Sequence, residues 1–296
     1  MGIAAMRHRF AEKADRFVDS RFMSARTFQL ICAFCGIPCS LLFLLGFVAA
    51  DFLAPVKPWW GAEQTAHHYQ VHKTGVRAGA ALIGLSAVFY MPFCTAISAQ
   101  MRRIPNLHHS ARQLQLSAAS AGLWTFMLPG IILATTSYRP WRDVNITQSL
   151  NDFFWICTLM PWPTFMVQSW VLAYAILVDR RAKPLFPKEV AIYNLIIPCL
   201  WTPAIGIHCT KHGAVAYNGG LTFWCLGVTF CTQLFVESVF LMRAIYYQPE
   251  GGEQLVDMFP THNEKDLEAN GKDLEAHGPS DPDSEPSSTG ALHQQA

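Results

Sequence analysis

Charge is what this sequence has least of. Asp, Glu, Lys and Arg make up 15% of its 296 residues, whereas an average soluble domain carries about 25%. Hydrophobic residues make up 51%, and long windows contain no charged residue at all. This distribution excludes an ordinary soluble domain. It predicts a membrane protein with several spans and a polar C-terminal tail.

Several motifs that would point to other classes of protein are also missing. The first 22 residues have neither an apolar core nor a small-residue cleavage site, so they do not form a signal peptide. The chain has no Gly-rich nucleotide loop, P-loop or haem motif, and no basic aromatic patch. We therefore expect no cofactor and no nucleic-acid partner. Most of the nine cysteines fall at membrane depth, which predicts no disulfide framework.

Six apolar windows are long enough to span a membrane, because a spanning helix needs about 20 apolar residues. They are roughly residues 28–50, 78–99, 114–137, 153–178, 190–207 and 221–242. The predicted fold class is all-α, a polytopic membrane protein with a six-helix transmembrane bundle. Six prolines lie inside these windows: Pro92, Pro129, Pro161, Pro163, Pro198 and Pro203. Since membrane helices tolerate proline, we expect kinked helices around a cavity.

Lysine and arginine predict the orientation, because cytoplasmic loops are enriched in them. Fourteen lie in the N-terminal segment, in the second and fourth loops and just after the last span, whereas six lie in the first, third and fifth loops. Both termini are therefore predicted to be cytoplasmic, in an integral protein of the endoplasmic reticulum. The third loop, then on the luminal side, contains the glycosylation acceptor Asn145 in the sequence Asn-Ile-Thr.

The sequence divides into three parts. Residues 1–27 form a basic N-terminal segment, and residues 28–246 form the transmembrane domain. Residues 247–296 are rich in Gly, Asp, Glu, Ser and Pro, which predicts a disordered cytoplasmic tail. The tail contains the heptads KDLEANG and KDLEAHG in succession, and two copies are too few for a repeat fold. Its predicted role is limited to binding a partner.

The first loop is rich in histidine. Glu63 and His67 are spaced i,i+4, as are His68 and His72, so on a helix each pair shares a face. Three interpretations are open: polar residues at the headgroup level, acid–base chemistry by one or two histidines, and a metal site. The spacing lacks the glutamate of a His-Glu-x-x-His motif, so we predict no metal ligand.

The third loop is denser in ionisable groups. Arg139, Arg142, Asp143 and Asp152 lie within fourteen residues. Asp152 begins the fourth predicted span, where the helix N-terminus favours a carboxylate. Alternatively, Asp152 lies at the top of a cavity, where Arg139 or Arg142 holds it in position to move a proton. The fifth loop contributes four more polar side chains: His208, Lys211, His212 and Asn218.

Glu237 is the one carboxylate well inside a predicted span, near its cytoplasmic end. One interpretation is that it pairs with Arg243 or extends to the membrane surface. The other is that it is a buried functional proton carrier, because ionisable residues inside a membrane are usually functional. The sequence leaves both interpretations open.

Four segments resemble a family of multi-span membrane proteins of unknown function, found in actinobacteria and filamentous fungi. They are AHHYQVHKTGVRAGAALIGLSAVFYMPFCTAISAQMRRI, SLNDFFW, RAKPLFPKEVAIYNL and KHGAVAYNGGLTFW. The matching positions include His72, Arg77, Gly79, Arg102, Arg103, Asn151, Asp152, Trp155, Lys211, Gly213 and Asn218. In fungi, small cofactor-free membrane proteins of this size often belong to biosynthetic clusters, as the membrane terpene cyclases do. The resemblance therefore implies a role in secondary metabolism.

Together these features predict a membrane enzyme that takes a hydrophobic metabolite from the lipid bilayer and uses acid–base chemistry without a cofactor. The candidate reactions are epoxide opening by water, cyclisation and isomerisation, so the enzyme would be a hydrolase or a cyclase. The predicted catalytic residues are Asp152, His72, Asp143, Arg77 and Arg139. The predicted substrate-binding residues are Glu63, Arg142, Asn151, Trp155, Lys211 and Asn218. The alternatives are a transporter of a small organic molecule and a membrane scaffold that binds partners through its tail.

Overall fold

The computed structural model describes residues 7, 20, 23–53 and 55–248. The regular structure in these residues is helical, and they contain no β-strand, which confirms the predicted all-α class. All nine cysteines lie in the described part of the chain, and each of them is free. The predicted disordered tail lies almost entirely outside the described residues, as does most of the basic N-terminal segment.

Six helical segments are long and apolar enough to cross a membrane, which confirms the six predicted spans. They are Ala25–Ala49, Lys73–Met101, His109–Tyr138, Val144–Val178, Lys188–Gly206 and Gly220–Tyr246. Large apolar side chains such as Leu44, Val88 and Ile131 are exposed on them. Such a surface suits contact with lipid rather than water. The protein is therefore an integral membrane protein.

Shorter helices build these spans and part of the first loop. They are α1 (Ala25–Phe34), α2 (Gly36–Ala49), α3 (Ala62–Val71), α4 (Lys73–Met101), α5 (His109–Gly122), α6 (Trp124–Tyr138), α7 (Val144–Leu159), α8 (Trp162–Val178), α9 (Lys188–Ile196) and α10 (Leu226–Tyr246). The fifth span continues from α9 as a 3₁₀ helix, Ile197–Gly206. The sixth begins with a π-helical turn, Gly220–Cys225, before α10. Helix α3 belongs to the first loop and meets α4 at His72.

Prolines coincide with breaks in two spans. Pro161 and Pro163 lie where α7 ends and α8 begins. A proline has no amide hydrogen, and its ring clashes with the carbonyl four residues earlier, so the helix cannot continue unchanged. Pro38, which the span prediction did not single out, has the same effect in the first span, where α1 and α2 are separated at Cys35.

The other four predicted prolines do not separate two α-helices. Helices α4 and α6 run through Pro92 and Pro129 without a break. Pro198 and Pro203 lie in the 3₁₀ part of the fifth span, whose i→i+3 bonding differs from that of an α-helix. The expected proline distortions are thus concentrated in the fourth and fifth spans.

Glycines bring α2 and α4 into close backbone contact. A Cβ atom added at Gly79 would lie 2.5 Å from the carbonyl oxygen of Gly46, and one added at Gly75 would overlap the carbonyl oxygen of Ala49. A larger residue at either position would force the two helices apart. Close approach through small residues is a common way for membrane helices to associate.

Phenylalanine rings fill the centre of the bundle. Phe43, Phe126, Phe165 and Phe230 are buried, and neighbouring ring centroids lie 4.9 to 6.2 Å apart. Most of these pairs are edge-to-face, which is a favourable arrangement for aromatic rings. The four rings come from the first, third, fourth and sixth spans, and Phe43, Phe165 and Phe230 also line a cavity.

A buried carboxylate orders the fourth loop. Asp179 accepts hydrogen bonds from Nε and Nη2 of Arg181 at 2.7 and 2.6 Å and from the backbone N–H of Leu185 at 3.0 Å. Burial alone would raise the pKa of Asp179, but these hydrogen bonds and the guanidinium charge outweigh it and lower the pKa. Lys188 Nζ donates to the backbone carbonyl of Asp179 at 2.8 Å. The basic fourth loop is therefore held in one conformation.

Candidate functional site

The first, third and fifth loops meet at one end of the bundle. Gln70 Nε2 donates to the backbone carbonyl of Pro140 at 3.2 Å, which ties the first loop to the third. The rings of Trp59 and His212 stack with centroids 4.7 Å apart, which ties the first loop to the fifth. Four more histidines belong to these loops: His67, His68, His72 and His208. We refer to this end as the histidine-rich end.

Asn151 is the centre of a buried polar cluster at the histidine-rich end. Its Oδ1 accepts from the Tyr69 hydroxyl at 3.1 Å and from Trp155 Nε1 at 3.2 Å. Its Nδ2 donates to the Tyr217 hydroxyl and to Asp152 Oδ1, both at 3.4 Å. The structure thus brings together three predicted site residues, all from α7, with one tyrosine from the first loop and one from the fifth. We refer to these five side chains as the Asn151 cluster.

Most polar groups of the Asn151 cluster are hydrogen-bonded to one another. Tyr69 and Tyr217 are buried, and burial raises the pKa of each hydroxyl, so both stay protonated. Tyr69 donates to Asn151, and Tyr217 accepts from it. The Trp155 indole stacks on the Tyr217 ring at 5.1 Å, with an angle of 6° between the planes. Asp152 is half-buried, and Lys211 lies near enough for their charges to interact. The cluster joins the first and fifth loops to the fourth span.

Two of the predicted arginines bind backbone carbonyls. Arg77 Nε donates to the carbonyl of Ser137 at 3.3 Å, and Arg142 Nη2 donates to the carbonyl of Thr135 at 2.6 Å. Both acceptors lie in the last turn of α6, where helix carbonyls have no partner within the helix. The two guanidiniums therefore cap the C-terminal end of the third span. Their predicted role in orienting a substrate stays a prediction.

Asp143 is the N-cap residue of α7. Its Oδ1 accepts from the backbone N–H groups of Asn145 at 2.9 Å and Ile146 at 3.4 Å. Such a cap satisfies N–H groups that have no partner within the helix. Asn145 is exposed in the first turn of α7, and its glycosylation stays a prediction.

The remaining predicted residues lie at the surface of the histidine-rich end. Arg139 and Lys211 are exposed, and Asn218 is half-buried. Glu63 is exposed in the first turn of α3, where the helix N-terminus favours its charge. Their predicted substrate contacts stay predictions.

His72 pairs with Asp51, a residue that the sequence analysis did not consider. His72 Nε2 lies 3.4 Å from Asp51 Oδ2, and the rings of His68 and His72 have centroids 4.7 Å apart. His68 Nε2 contacts the carbonyl oxygen of Ala50 at 3.2 Å. Burial lowers the pKa of His68, and this carbonyl partly offsets the effect, so the imidazole is neutral at pH 7. The carboxylate that contacts His72 is therefore that of Asp51 rather than that of Asp152.

A cavity of about 390 Å³ lies among five of the six spans, with only the second span absent from its wall. Its lining is mostly aliphatic and aromatic, with four hydroxyl side chains: Ser40, Thr125, Thr158 and Thr232. Leu44, Trp224 and Phe235 line it and are also exposed on the outside of the bundle, so the cavity opens toward the lipid-facing surface. Its volume falls in the range of roughly 300 to 1,000 Å³ that is typical of small-molecule sites.

One polar atom in the cavity wall is unpaired. The Thr125 hydroxyl is buried and has no hydrogen-bond partner among the described residues. Buried polar groups in proteins almost always have a partner. Thr125 lines the cavity, but its hydroxyl has almost no exposed surface there, so a polar atom of a ligand can reach it only if the side chain rotates.

Beside the cavity, three spans place polar side chains around Glu237. Glu237 is 4% exposed, and its Oε1 accepts from Gln233 Nε2 at 2.8 Å. Gln233 Nε2 also lies 2.6 Å from Ser169 Oγ and 3.1 Å from Asn194 Oδ1. No ion pair between Glu237 and Arg243 occurs in the described part of the chain. We refer to these four hydrogen-bonded side chains as the Glu237 cluster.

The Glu237 cluster has unused hydrogen-bonding capacity. Gln233 Nε2 has two hydrogens for three oxygen neighbours, while its buried Oε1 has no partner among the described residues. A space of about 10 Å³ lies against Gln233 and Glu237, which is close to what one water molecule needs. This cluster therefore has an acceptor without a partner and space for one water molecule beside it.

The Glu237 cluster adjoins the apolar cavity. Three aromatic side chains line both the cavity and the small space beside Glu237: Phe165, Trp201 and Phe230. A single aromatic layer therefore separates a buried carboxyl group from an apolar cavity that opens toward lipid.

The sequence singled out Glu237 and predicted a cavity among kinked helices, but it indicated neither the partners of Glu237 nor the residues that line the cavity. A signal for two of the partners was present, because Asn194 and Gln233 are amides inside otherwise apolar windows. Amides at membrane depth need hydrogen-bond partners in neighbouring helices. The cavity lining left no such signal, since it is mostly apolar, as a lipid-facing surface is.

No protein-family model, curated protein or solved structure matches this chain. The resemblance to a membrane-protein family of actinobacteria and filamentous fungi therefore stays a prediction. The fold and the site define the class: an integral membrane protein with a lipid-facing apolar cavity and a buried carboxyl group beside it.

Proposed function

We propose that this protein is a membrane enzyme that binds a hydrophobic small molecule in the apolar cavity and uses Glu237 to move a proton. The observation that carries the proposal is the position of this buried carboxyl group, one aromatic layer from a cavity of about 390 Å³. Ionisable side chains within a membrane are costly, and they usually mark a functional site.

The cavity lining supports a definite class of substrate. An apolar wall that opens toward lipid favours a largely hydrocarbon molecule that enters from the bilayer. The unpaired Thr125 hydroxyl, once its side chain rotates toward the cavity, favours one oxygen-bearing group on that molecule, such as a hydroxyl, an epoxide or a carbonyl. The resemblance to the fungal family supports a place for such a reaction in secondary metabolism.

Glu237 suits acid–base chemistry that needs no cofactor. A carboxyl group can protonate an epoxide oxygen or a double bond, and the resulting carboxylate can then take a proton back from the substrate. The net reaction is an isomerisation or a cyclisation, and with water as the nucleophile it is epoxide hydrolysis. The proposal thus keeps the reaction classes expected from the sequence and moves the proton-carrying role from Asp152 to Glu237. Access to Glu237 requires one of the three shared aromatic side chains to rotate.

A second candidate function is proton-coupled transport of a small organic molecule. The observation that favours it is again Glu237, because buried carboxyl groups without a cationic partner also serve as proton relays in transporters. The two candidates differ in the fate of the bound molecule, which an enzyme changes and a transporter leaves intact.

The test compares Glu237→Gln with the wild-type protein. Host cells producing each protein are fed a panel of lipophilic alkenes, epoxides and alcohols, and the extracts are analysed by mass spectrometry. We expect an isomeric or hydrated product with the wild type, and a loss of about 10²-fold or more with Glu237→Gln at equal protein level. Glu189→Gln is the matched control, because Glu189 is exposed in the first turn of α9.

Each other outcome counts against the enzyme proposal. Undiminished product with Glu237→Gln would show that the carboxyl group does not serve the reaction. Accumulation of an unmodified compound that depends on Glu237 would favour the transporter. No compound changed by the wild type would contradict the proposed substrate class.

A further inference from the structure

Three side chains with metal-binding atoms converge at the turn that follows the first span. A carboxylate oxygen of Asp51 and one ring nitrogen each of His68 and His72 lie within 4.8 Å of one another. His72 Nε2 and Asp51 Oδ2 are 3.4 Å apart. Two ligands of a tetrahedral zinc ion with bonds near 2.1 Å are separated by about 3.4 Å. One pair is therefore already at the spacing that a bound ion requires.

The surroundings of His68 fix its ring in the manner of a metal ligand. Its ring stacks on Phe52, with centroids 5.2 Å apart and an angle of 18°. Its Nε2 contacts the carbonyl oxygen of Ala50 at 3.2 Å. A carbonyl oxygen only accepts, so Nε2 carries the hydrogen and Nδ1 keeps its lone pair. Metal-bound histidines usually donate their other ring N–H to a carbonyl or carboxylate in this way.

The turn after α2 places Asp51 beside the two histidines. Asp51 has a φ of 58°, in the left-handed region that few residues other than glycine adopt, although aspartate is among those that tolerate it. Its N–H donates to the carbonyl of Val48 at 3.1 Å, which closes the turn after α2. Asp51 is exposed and His72 is half-buried, so an ion and its water ligands can reach both side chains.

The geometry points to a binding site for a divalent transition-metal ion of the zinc class, held by Asp51, His68 and His72. Two imidazoles and one carboxylate suit zinc, whereas magnesium and calcium prefer oxygen ligands alone. Three protein ligands leave the fourth position for water or for an oxygen atom of a ligand. The ion would link the end of the first span to the α3–α4 junction at the histidine-rich end.

This inference is independent of the function proposed for Glu237, because the two sites share no residue. It changes the interpretation of the first-loop histidines, for which the sequence favoured no metal ligand. The histidine pattern did not include Asp51, which lies 17 positions before His68. The turn after the first span brings its carboxylate close to His68. A plain His72–Asp51 ion pair is the alternative, in which His68 only stacks on Phe52 and contacts the carbonyl of Ala50.

The test measures metal binding directly. The purified full-length protein is stripped with a chelator, and Co²⁺ is then titrated while its visible absorption is recorded, followed by competition with Zn²⁺. We expect the wild type to show the bands of a low-coordinate Co²⁺ site, with Zn²⁺ displacing the cobalt and Mg²⁺ having no effect. Asp51→Asn and His72→Ala should each weaken binding at least about tenfold, since even groups that only support a ligand cost that much.

His67→Ala is the matched control, because His67 is an exposed neighbour outside the cluster. The chain has 11 histidines, so the difference between variants carries the result rather than the total metal bound. Thermal unfolding in detergent without metal checks that each variant is folded. Equal Co²⁺ binding by the wild type, Asp51→Asn and His72→Ala would overturn the proposal and leave an ion pair only. Equal weakening by His67→Ala would also overturn it.

Discussion

Asp143, which the sequence predicts to be catalytic, has a structural role in the protein. The sequence predicts an acid or base, because Asp143 lies among arginines in a dense loop. In the structure, its carboxylate accepts two backbone N–H groups at the start of α7. Helix capping is enough to explain an aspartate at this position, because Asp, like Asn and Ser, is among the residues that cap helices best. No catalytic role is needed. We therefore expect Asp143 to serve stability.

The two roles of Asp143 separate on substitution. Asp143→Asn keeps a capping oxygen and should change the free energy of unfolding by less than about 0.5 kcal/mol. Asp143→Ala removes the cap and should cost about 0.5–2 kcal/mol. Product formation should survive in Asp143→Asn. Thermal unfolding in detergent and the product assay measure the two effects, and a folded Asp143→Asn variant with at least tenfold less product would restore the catalytic role.

Whether the contacts of a residue could be predicted from the sequence depends on where its partners lie. Asn151, Asp152 and Trp155 were predicted together and lie together, because one helix carries all three. Asp51, the partner of His72, was missed because it lies in a turn, and Ser169 and Asn194 were missed because they come from other spans than Glu237. Gln233 was also missed, although it lies four residues before Glu237 on the same helix. A single sequence carries spacing along a helix, but it does not carry contacts between helices.

The spanning helices were the most predictable part of the fold. Lipid offers no hydrogen bonds to the backbone, so each crossing must be an apolar helix of sufficient length. The ends were less predictable: the second span was expected at 78–99, whereas the helix runs from Lys73 to Met101. Charged residues such as Lys73 and Arg77 extend the helix beyond its apolar part. The break at Cys35 was also missed, although Pro38 gave a local signal for it.

The contact between α2 and α4 predicts that substitution by alanine has different effects on stability at two glycines of α4. Gly79→Ala places a Cβ 2.5 Å from the carbonyl oxygen of Gly46. This overpacking should lower the free energy of unfolding by about 1–3 kcal/mol. Gly84→Ala places a Cβ where no atom lies within 4 Å. It should be neutral or stabilise the protein by up to about 1 kcal/mol.

Unfolding of both variants in the same detergent tests this contact. The expected result is a clear loss of stability for Gly79→Ala and none for Gly84→Ala. Equal stability of the two variants would mean that α2 and α4 are not packed backbone to backbone.

The assembled bundle combines two features that no single segment shows. Loops distant in sequence form the histidine-rich end, through pairs such as Gln70–Pro140 and Trp59–His212. Five spans together enclose the apolar cavity. The sequence predicted the first feature, because alternating spans bring odd-numbered loops to one side. The sequence also predicted a cavity among kinked helices, but its position and lining needed the structure, because they depend on how the helices meet. Which end faces the cytoplasm stays a prediction from the distribution of lysine and arginine.

The central claim is that the apolar cavity is the substrate site, and blocking it is the most direct test. Gly227 lines the cavity, and a Cβ added there would meet no atom within 4 Å, so Gly227→Leu fills space without a local clash. Gly84→Leu is the matched control, because Gly84 has equally open surroundings but does not line the cavity. We expect Gly227→Leu to lower product formation at least about tenfold at equal protein level, since a displaced substrate loses its alignment. Gly84→Leu should keep full product formation. Equal product from the two variants would contradict the account.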